Sequence, residues 1–176
     1  MSAALSFRLV EVSQATDETP VYGFVVGESS ALVVLHRVSD RYDLDGYCAL
    51  PLGEVTSINE SFAKRDLYQR VVQLKALAPV PPEGIDFTSM RTLMESAQEV
   101  FGVLVIAREK VQPSEVEVGT IRMTSEDTYV LRWLTGTAEW ENDDRPFRYR
   151  DITKLEFGTE YEQMLLAVAR SRESDG

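Results

Sequence analysis

The sequence predicts a mainly β protein with short helices, an α+β chain in which one small unit is used twice. Three observations carry this. Short apolar runs bounded by Gly, Pro, Asn and Asp recur along the 176 residues, as expected of short strands joined by turns. Three segments switch to the three-and-four spacing of amphipathic helices. The order of segments in residues 1–80 returns in residues 81–176 at a nearly constant offset.

In the first half, residues 7–12 read as a strand and the polar residues 13–20 as the loop after it. Residues 22–26 form a second strand, and 27–30 a tight connection to a third at 31–38, whose unbroken apolar centre predicts burial on both faces. Asp40 to Gly46 supply a turn, with Asp45-Gly46 expected to provide its positive φ. Residues 47–52 and 54–58 then close the unit. Over 62–77 the period changes: Leu67, Val71, Leu74 and Leu77 share one helical face, while Lys64, Arg65, Arg70 and Lys75 lie elsewhere. The proline-rich residues 78–84 stop this helix and read as a linker, because proline cannot continue a helix.

In the second half, Asp86 or Thr88 is expected to cap a helix carrying Met90, Leu93, Met94, Ala97 and Phe101 on one face. Strands follow at 102–107, 116–123 and 128–134, and residues 142–150 read as a hairpin turn running into a strand. A last helix over 159–170 is expected to turn Tyr161, Met164, Leu165 and Val168 inward. At an offset of 96, Ser6 to Val10 fall on Gly102 to Ile106, Gly23 on Gly119, Ser29 on Ser125, and Val34-Leu35-His36 on Val130-Leu131-Arg132. At 97, Glu54 to Ile58 fall on Asp151 to Leu155.

About five short strands and a helix per unit are too few for an open sheet with two exposed edges, but they suit a small, strongly bent barrel. The helix at 88–100, the strands through Phe157 and the segment Gly119-Thr120-Ile121 resemble the Sm-like barrel. That resemblance implies two tandem Sm-like small β-barrels, each with an attached helix, packed as a pseudo-dimer. The first barrel would occupy 1–80 with a C-terminal helix, and the second 81–176 with helices at both ends. The family binds RNA through an Asp followed by an Asn in one loop and an Ile-Arg-Gly segment in another. Here those loops read Ser125-Glu126-Asp127-Thr128 and Arg150-Asp151-Ile152-Thr153, so the RNA pocket is not expected to be inherited. The first half, with residues 22–26, Leu35-His36 and Leu44-Asp45-Gly46-Tyr47, also resembles a group of uncharacterised bacterial proteins, which brings no activity with it.

Net charge is −11, distributed as 7 Lys/Arg against 10 Asp/Glu in residues 1–80 and 11 against 19 in residues 81–176. Such a field repels phosphate backbones and anionic lipid, and favours basic partners. No stretch has the roughly 20 apolar residues of a membrane span and no secretory leader is evident, so a cytoplasmic location is expected. One cysteine and one histidine allow neither an internal disulfide nor a Cys/His zinc site.

Each chemically suggestive residue has a plainer role beside it. Asp40, Asp43 and Asp45 before Gly46 invite a calcium loop, but Arg41 stands at the first ligand position and Leu52 where a bidentate Glu is required, which leaves Asp43, Asp45 and Gly46 as turn residues. His36 could act as a general base beside Asp43, Asp45 and Glu54, yet its counterpart is Arg132, and a polar side chain on the outer face of a strand accounts for both. Cys48 has no His/Asn pair to activate it. Around Asp143 and Asp144, the aromatic residues Trp140, Phe147 and Tyr149 alternate with Arg148 and Arg150, a composition found at binding hot spots as well as in solvated hairpins.

The reading that results is a binding protein with no catalytic, metal or cofactor residues. Its expected partner is another protein, basic in character, or a second copy docking on open strand edges. An acidic antagonist, such as an immunity protein or nucleic-acid mimic, is the alternative. A degenerate RNA-binding protein is a further one. No small-molecule ligand is identifiable.

Overall fold

The computed structural model describes residues 7–174, apart from the side chains of Asp143 and Asp144. Its first half contains β1 (Leu9–Gln14), β2 (Val21–Glu28), β3 (Leu32–Val38), β4 (Leu44–Pro51), β5 (Val55–Asn59) and α1 (Arg65–Leu74). Its second half contains α2 (Met90–Phe101), β6 (Leu104–Ala107), β7 (Val116–Thr124), β8 (Thr128–Leu134), β9 (Trp140–Arg148), β10 (Lys154–Phe157) and α3 (Glu160–Ser174). The strand runs read from alternation are all present, and the protein is mainly β. Residues 142–145, expected as a turn, instead lie inside β9, and the hairpin turn falls earlier, where Ala138 donates to the carbonyl of Thr135.

The ten strands form one antiparallel sheet in the order β5-β1-β2-β3-β4-β10-β6-β7-β8-β9. This corrects the expectation of two small closed barrels forming a pseudo-dimer. β4 does not return to close its own unit. Its residues Tyr47, Cys48 and Ala49 pair with Phe157, Glu156 and Leu155 of β10, so the backbone groups that closure would have used join the two halves. β5 and β9 are left as the two edges of an open sheet.

Within that sheet the halves repeat the same pairings. Gly23 lies opposite Arg37 and Gly119 opposite Trp133. The register breaks between Val25 and Gly27 in one half and between Ile121 and Met123 in the other, 96 residues on. Short 3-10 turns occupy Leu52–Glu54 and Tyr149–Asp151, at the offset of 97.

Alternation along the strands sends side chains to two cores. On one face Leu32, Val34, Tyr47, Ala49, Leu104, Ile106, Leu155 and Phe157 pack with Leu93, Met94 and Ala97 of α2. Farther along, Leu9, Phe24 and Val38 meet Phe62 and Tyr68, the latter from α1. On the other face Val10, Val12, Val33, Leu35, Cys48 and Leu50 form a cluster of strand residues. Across the seam Val103, Val105 and Val118 pack against Leu166 and Ala169 of α3.

Helix α2 turns the expected face inward, with Met90, Leu93, Met94, Ala97 and Phe101 on the core, but its cap differs from expectation, and α1 and α3 differ in which way they face. Ser89, not Asp86 or Thr88, caps α2: its hydroxyl accepts from the Thr92 amide, while Asp86 accepts from the Thr88 amide in the preceding loop. Helix α1 buries Tyr68 and leaves Leu67 and Leu74 exposed. Helix α3 buries Glu162, Leu166 and Ala169, and turns outward the residues its apolar stripe had marked as core: Tyr161 and Met164 are 58% exposed and Val168 40%.

Candidate functional site

The rotation of α3 begins at its first turn. The Thr159 amide donates to Glu162 Oε1 at 2.5 Å and the Thr159 hydroxyl donates to Glu162 Oε2. This is the reciprocal half of a capping box, in which the third helical residue reaches back to the capping residue. It draws Glu162 under the helix, where the residue is 0% exposed. Burial pushes its carboxyl above the usual carboxylate range, and the hydrogen bonds from Thr159 offset only part of that. With Glu162 inside, residues 161, 164, 165 and 168 come round to the side facing the first half.

There they form one wall of an open groove of about 920 Å³ that runs along the seam between the halves. Val21, Tyr22, Val38 and Leu44 line the side opposite the helix. The floor is charged and internally paired. Arg37 donates to Asp45 Oδ2 at 2.9 Å and to Glu156 Oε1 at 3.0 Å, bridging β3, β4 and β10 above Cys48. Lys154 donates to Asp17 at 2.9 Å and lies 3.8 Å from Glu109. Burial pulls the Lys154 ammonium down, but its hydrogen bond to Asp17 and the neighbouring carboxylates outweigh this and hold it above its ordinary value. Six carboxylates line the groove (Asp17, Asp40, Asp43, Asp45, Glu156 and Glu160) against three cations, Arg37, Arg41 and Lys154. The groove is therefore acidic with an apolar wall.

Comparison with protein-family models, with curated proteins and with solved structures gave no match.

The residues with chemical potential are dispersed. His36 and Arg37 are neighbours on β3 and face opposite sides of the sheet. His36 is buried and not on an outer face: it stacks on Tyr47 with ring centroids 4.7 Å apart, and its Nδ1 accepts from the Val80 amide at 3.2 Å. The Tyr47 hydroxyl donates to the Val80 carbonyl, so the two rings clip the linker to the sheet. Burial lowers the His36 pKa. Asp43 pairs with Lys75 at 2.5 Å, Asp45 with Arg37, and Glu54 with Lys110. None of these carboxylates meets His36 in a hydrogen bond or ion pair among the described residues.

Gly46 has φ 63°, but it lies within β4, where the pairing with β3 shifts register, and not in the turn; the positive φ of the turn belongs to Tyr42. Cys48 is fully buried, and burial pushes its thiol far above the usual range. Asp43, Asp45 and Gly46 thus serve the seam and the groove.

The aromatic residues near Asp143 and Asp144 are covered by the chain. Phe147 is in the α2-side core with the Arg108 guanidinium 4.3 Å from its ring centroid. Arg132 lies 4.6 Å from the ring centroid of Trp140, which packs on the α3-side core. Tyr149 lies against Tyr129, with ring centroids 5.2 Å apart and the planes tilted by 38°. Arg148 and Arg150 are exposed, Arg150 with Asp151 at 4.0 Å. The groove itself was not visible in the sequence as a site, although the Thr159-x-x-Glu162 box was there to show which way α3 faces.

Proposed function

We propose that this is a non-catalytic binding protein that takes a protein partner in the seam groove. The observation that carries the reading is the exposed stripe of α3. Tyr161, Met164 and Val168 repeat at helical spacing like a core face, yet they line an open groove. The separate engagement of His36, Asp43, Asp45 and Glu54 supports binding over catalysis. Self-association through strand edges is less well supported, because β9 carries charged residues and Pro146, features that discourage strand addition. The correspondence of pairings between the halves supports duplication of one five-strand unit, with the groove arising where the two copies join.

The test is position-specific photo-crosslinking in cells, with the reactive side chain at 164 in the groove or at exposed Val111 outside it. A discrete adduct from 164 alone, whose purified partner binds the wild-type protein and not a Tyr161→Ser/Met164→Ser variant, is the expected result. Identical adducts from both positions, or none from 164, would overturn the reading.

A further inference from the structure

We infer that the groove takes a basic amphipathic helix, with apolar residues on one side and Lys or Arg on the other. This deepens the proposed binding function and rests on it. The α3 stripe spans residues 161 to 168, two helical turns or about 10 Å. Its residues stand at the three-and-four spacing that one helix offers to the ridges of another. An apolar stripe of matching length on a partner would cover Tyr161, Met164 and Val168.

Charge selects the sign of the partner's other side. Two of the groove's three cations, both partly buried on its floor, are already clamped, Arg37 between Asp45 and Glu156, and Lys154 by Asp17 with Glu109 nearby; the third, Arg41, is exposed on the rim, where Asp40, Asp43 and Glu160 outnumber it. The clamped pair offers little to an incoming anion. Asp40 and Glu160 line the groove toward solvent, and Asp43 stands beside them with its side chain 55% exposed even while paired to Lys75. A second copy of this chain would bring another acidic groove and a further net charge of −11 to the same place, so like-charge repulsion disfavours it. A cationic helix meets both features at once, its apolar face on α3 and its basic residues toward Asp40, Asp43 and Glu160.

Three synthetic fourteen-residue peptides of one amphipathic helical pattern test this, with Leu on the apolar face and Lys, Glu or Ser on the polar face. Fluorescence anisotropy would follow their binding to the full chain at 0.05 M and 0.5 M salt. The Lys peptide should bind at least tenfold more tightly than either of the others and weaken at least tenfold at high salt. Tyr161→Ser/Met164→Ser and, separately, Asp40→Asn/Glu160→Gln should each reduce its affinity at least fivefold. Glu126→Gln/Glu139→Gln, equal in charge change and outside the groove, should not. These are exposed positions, and unchanged thermal midpoints would show that the variants fold.

Equal loss with the outside pair would mean attraction by net charge alone and would overturn the inference. Equal binding of all three peptides, lost in Tyr161→Ser/Met164→Ser, would overturn the basic partner while leaving a binding groove. Lys-peptide binding insensitive to both groove variants would also overturn the inference, and the crosslinking result would decide the wider reading separately.

Discussion

Glu162 is fully buried beneath α3 because it accepts both the amide and the hydroxyl hydrogens of Thr159, and this pair determines which side of the helix the groove receives. A carboxyl in that position is held at a cost that depends on pH. Its folded-state pKa is raised, so its contribution to stability is fully present below the ordinary value of 4.5 and is lost as pH rises through the folded value. Glu162→Gln keeps a capping-box residue without the ionisable proton. Its stability relative to wild type should therefore climb from pH 4 to pH 7. Glu162→Ala removes the box and should be less stable than Glu162→Gln at both values, by about 1 kcal/mol. Urea midpoints of the three proteins at the two pH values check this.

Gly46 sits where β4 passes the end of β10. A Cβ added there would lie 2.6 Å from the Gly158 carbonyl carbon and 2.6 Å from the Thr159 amide nitrogen, both backbone atoms that cannot turn aside. Its φ of 63° adds the strain of a left-handed conformation. Gly46→Ala should cost about 2–4 kcal/mol. Gly53→Ala, with nothing within 4 Å of its added methyl, should change stability by less than about 0.5 kcal/mol. Denaturant unfolding compares the two. An equal effect would mean that the seam accommodates the methyl and is looser than described.

How far the sequence carried the reading depends on the kind of contact involved. Strands were legible because Leu32 to Leu35 and Leu104 to Ala107 show the continuous apolar character of strands buried on both faces. The offsets of 96 and 97 were legible because Gly23 and Gly119 hold the same place in their ladders. Closure was not legible. Tyr47 to Ala49 would look the same in sequence whether they bonded within their own unit or, as they do, to Leu155 to Phe157. The inward face of α3 was misread because hydrophobic spacing ranks Tyr161 and Met164 above Glu162, and only the hydrogen bonds of the first turn reverse that order. His36 was misplaced for a similar reason: its partner is the backbone of Val80, which leaves no side-chain signature.

The single histidine gives the linker a pH-dependent clasp. Neutral His36 accepts from the Val80 amide, and a protonated imidazole has no lone pair at Nδ1 to do so. Burial lowers the His36 pKa, so its contribution to stability is present above the ordinary value of 6.5 and is lost as pH falls below it, through the folded value. The effect has the opposite sign to that of Glu162. With one histidine in the chain, an imidazole NMR titration is unambiguous, and it should show a pKa below 6.5. Val80→Pro, which removes the donating hydrogen, should raise it. Protection of the Val80 amide against exchange should decline, after correction for intrinsic rates, as pH drops below 6.5. A titration at or above 6.5 in the wild type would contradict the burial of His36.

The two halves differ where their equivalent strands face different surroundings. Val34 pairs with Ala49 and Val130 with Pro146; Leu32 pairs with Pro51 and Thr128 with Arg148. On that register Tyr47, Cys48 and Ala49, which receive β10, correspond to Asp144, Arg145 and Pro146 on the free edge. Proline has no amide hydrogen to offer a further strand, and charged residues on an edge disfavour burial against one. β9 thus ends the row that β4 continues. Replacing Asp144, Arg145 and Pro146 by Tyr, Ser and Ala would give β9 close counterparts of the residues with which β4 accepts a neighbour, Ser standing in for Cys48 to avoid disulfides between copies. That variant should associate head to tail, β9 on the β5 edge of the next copy. Light scattering should register a concentration-dependent rise in mass, while wild type and a Pro146→Ala variant that retains the charges scatter less at the same concentration. A variant that folds and shows no greater association than wild type would show that the β9 residues are not what ends the sheet at ten strands.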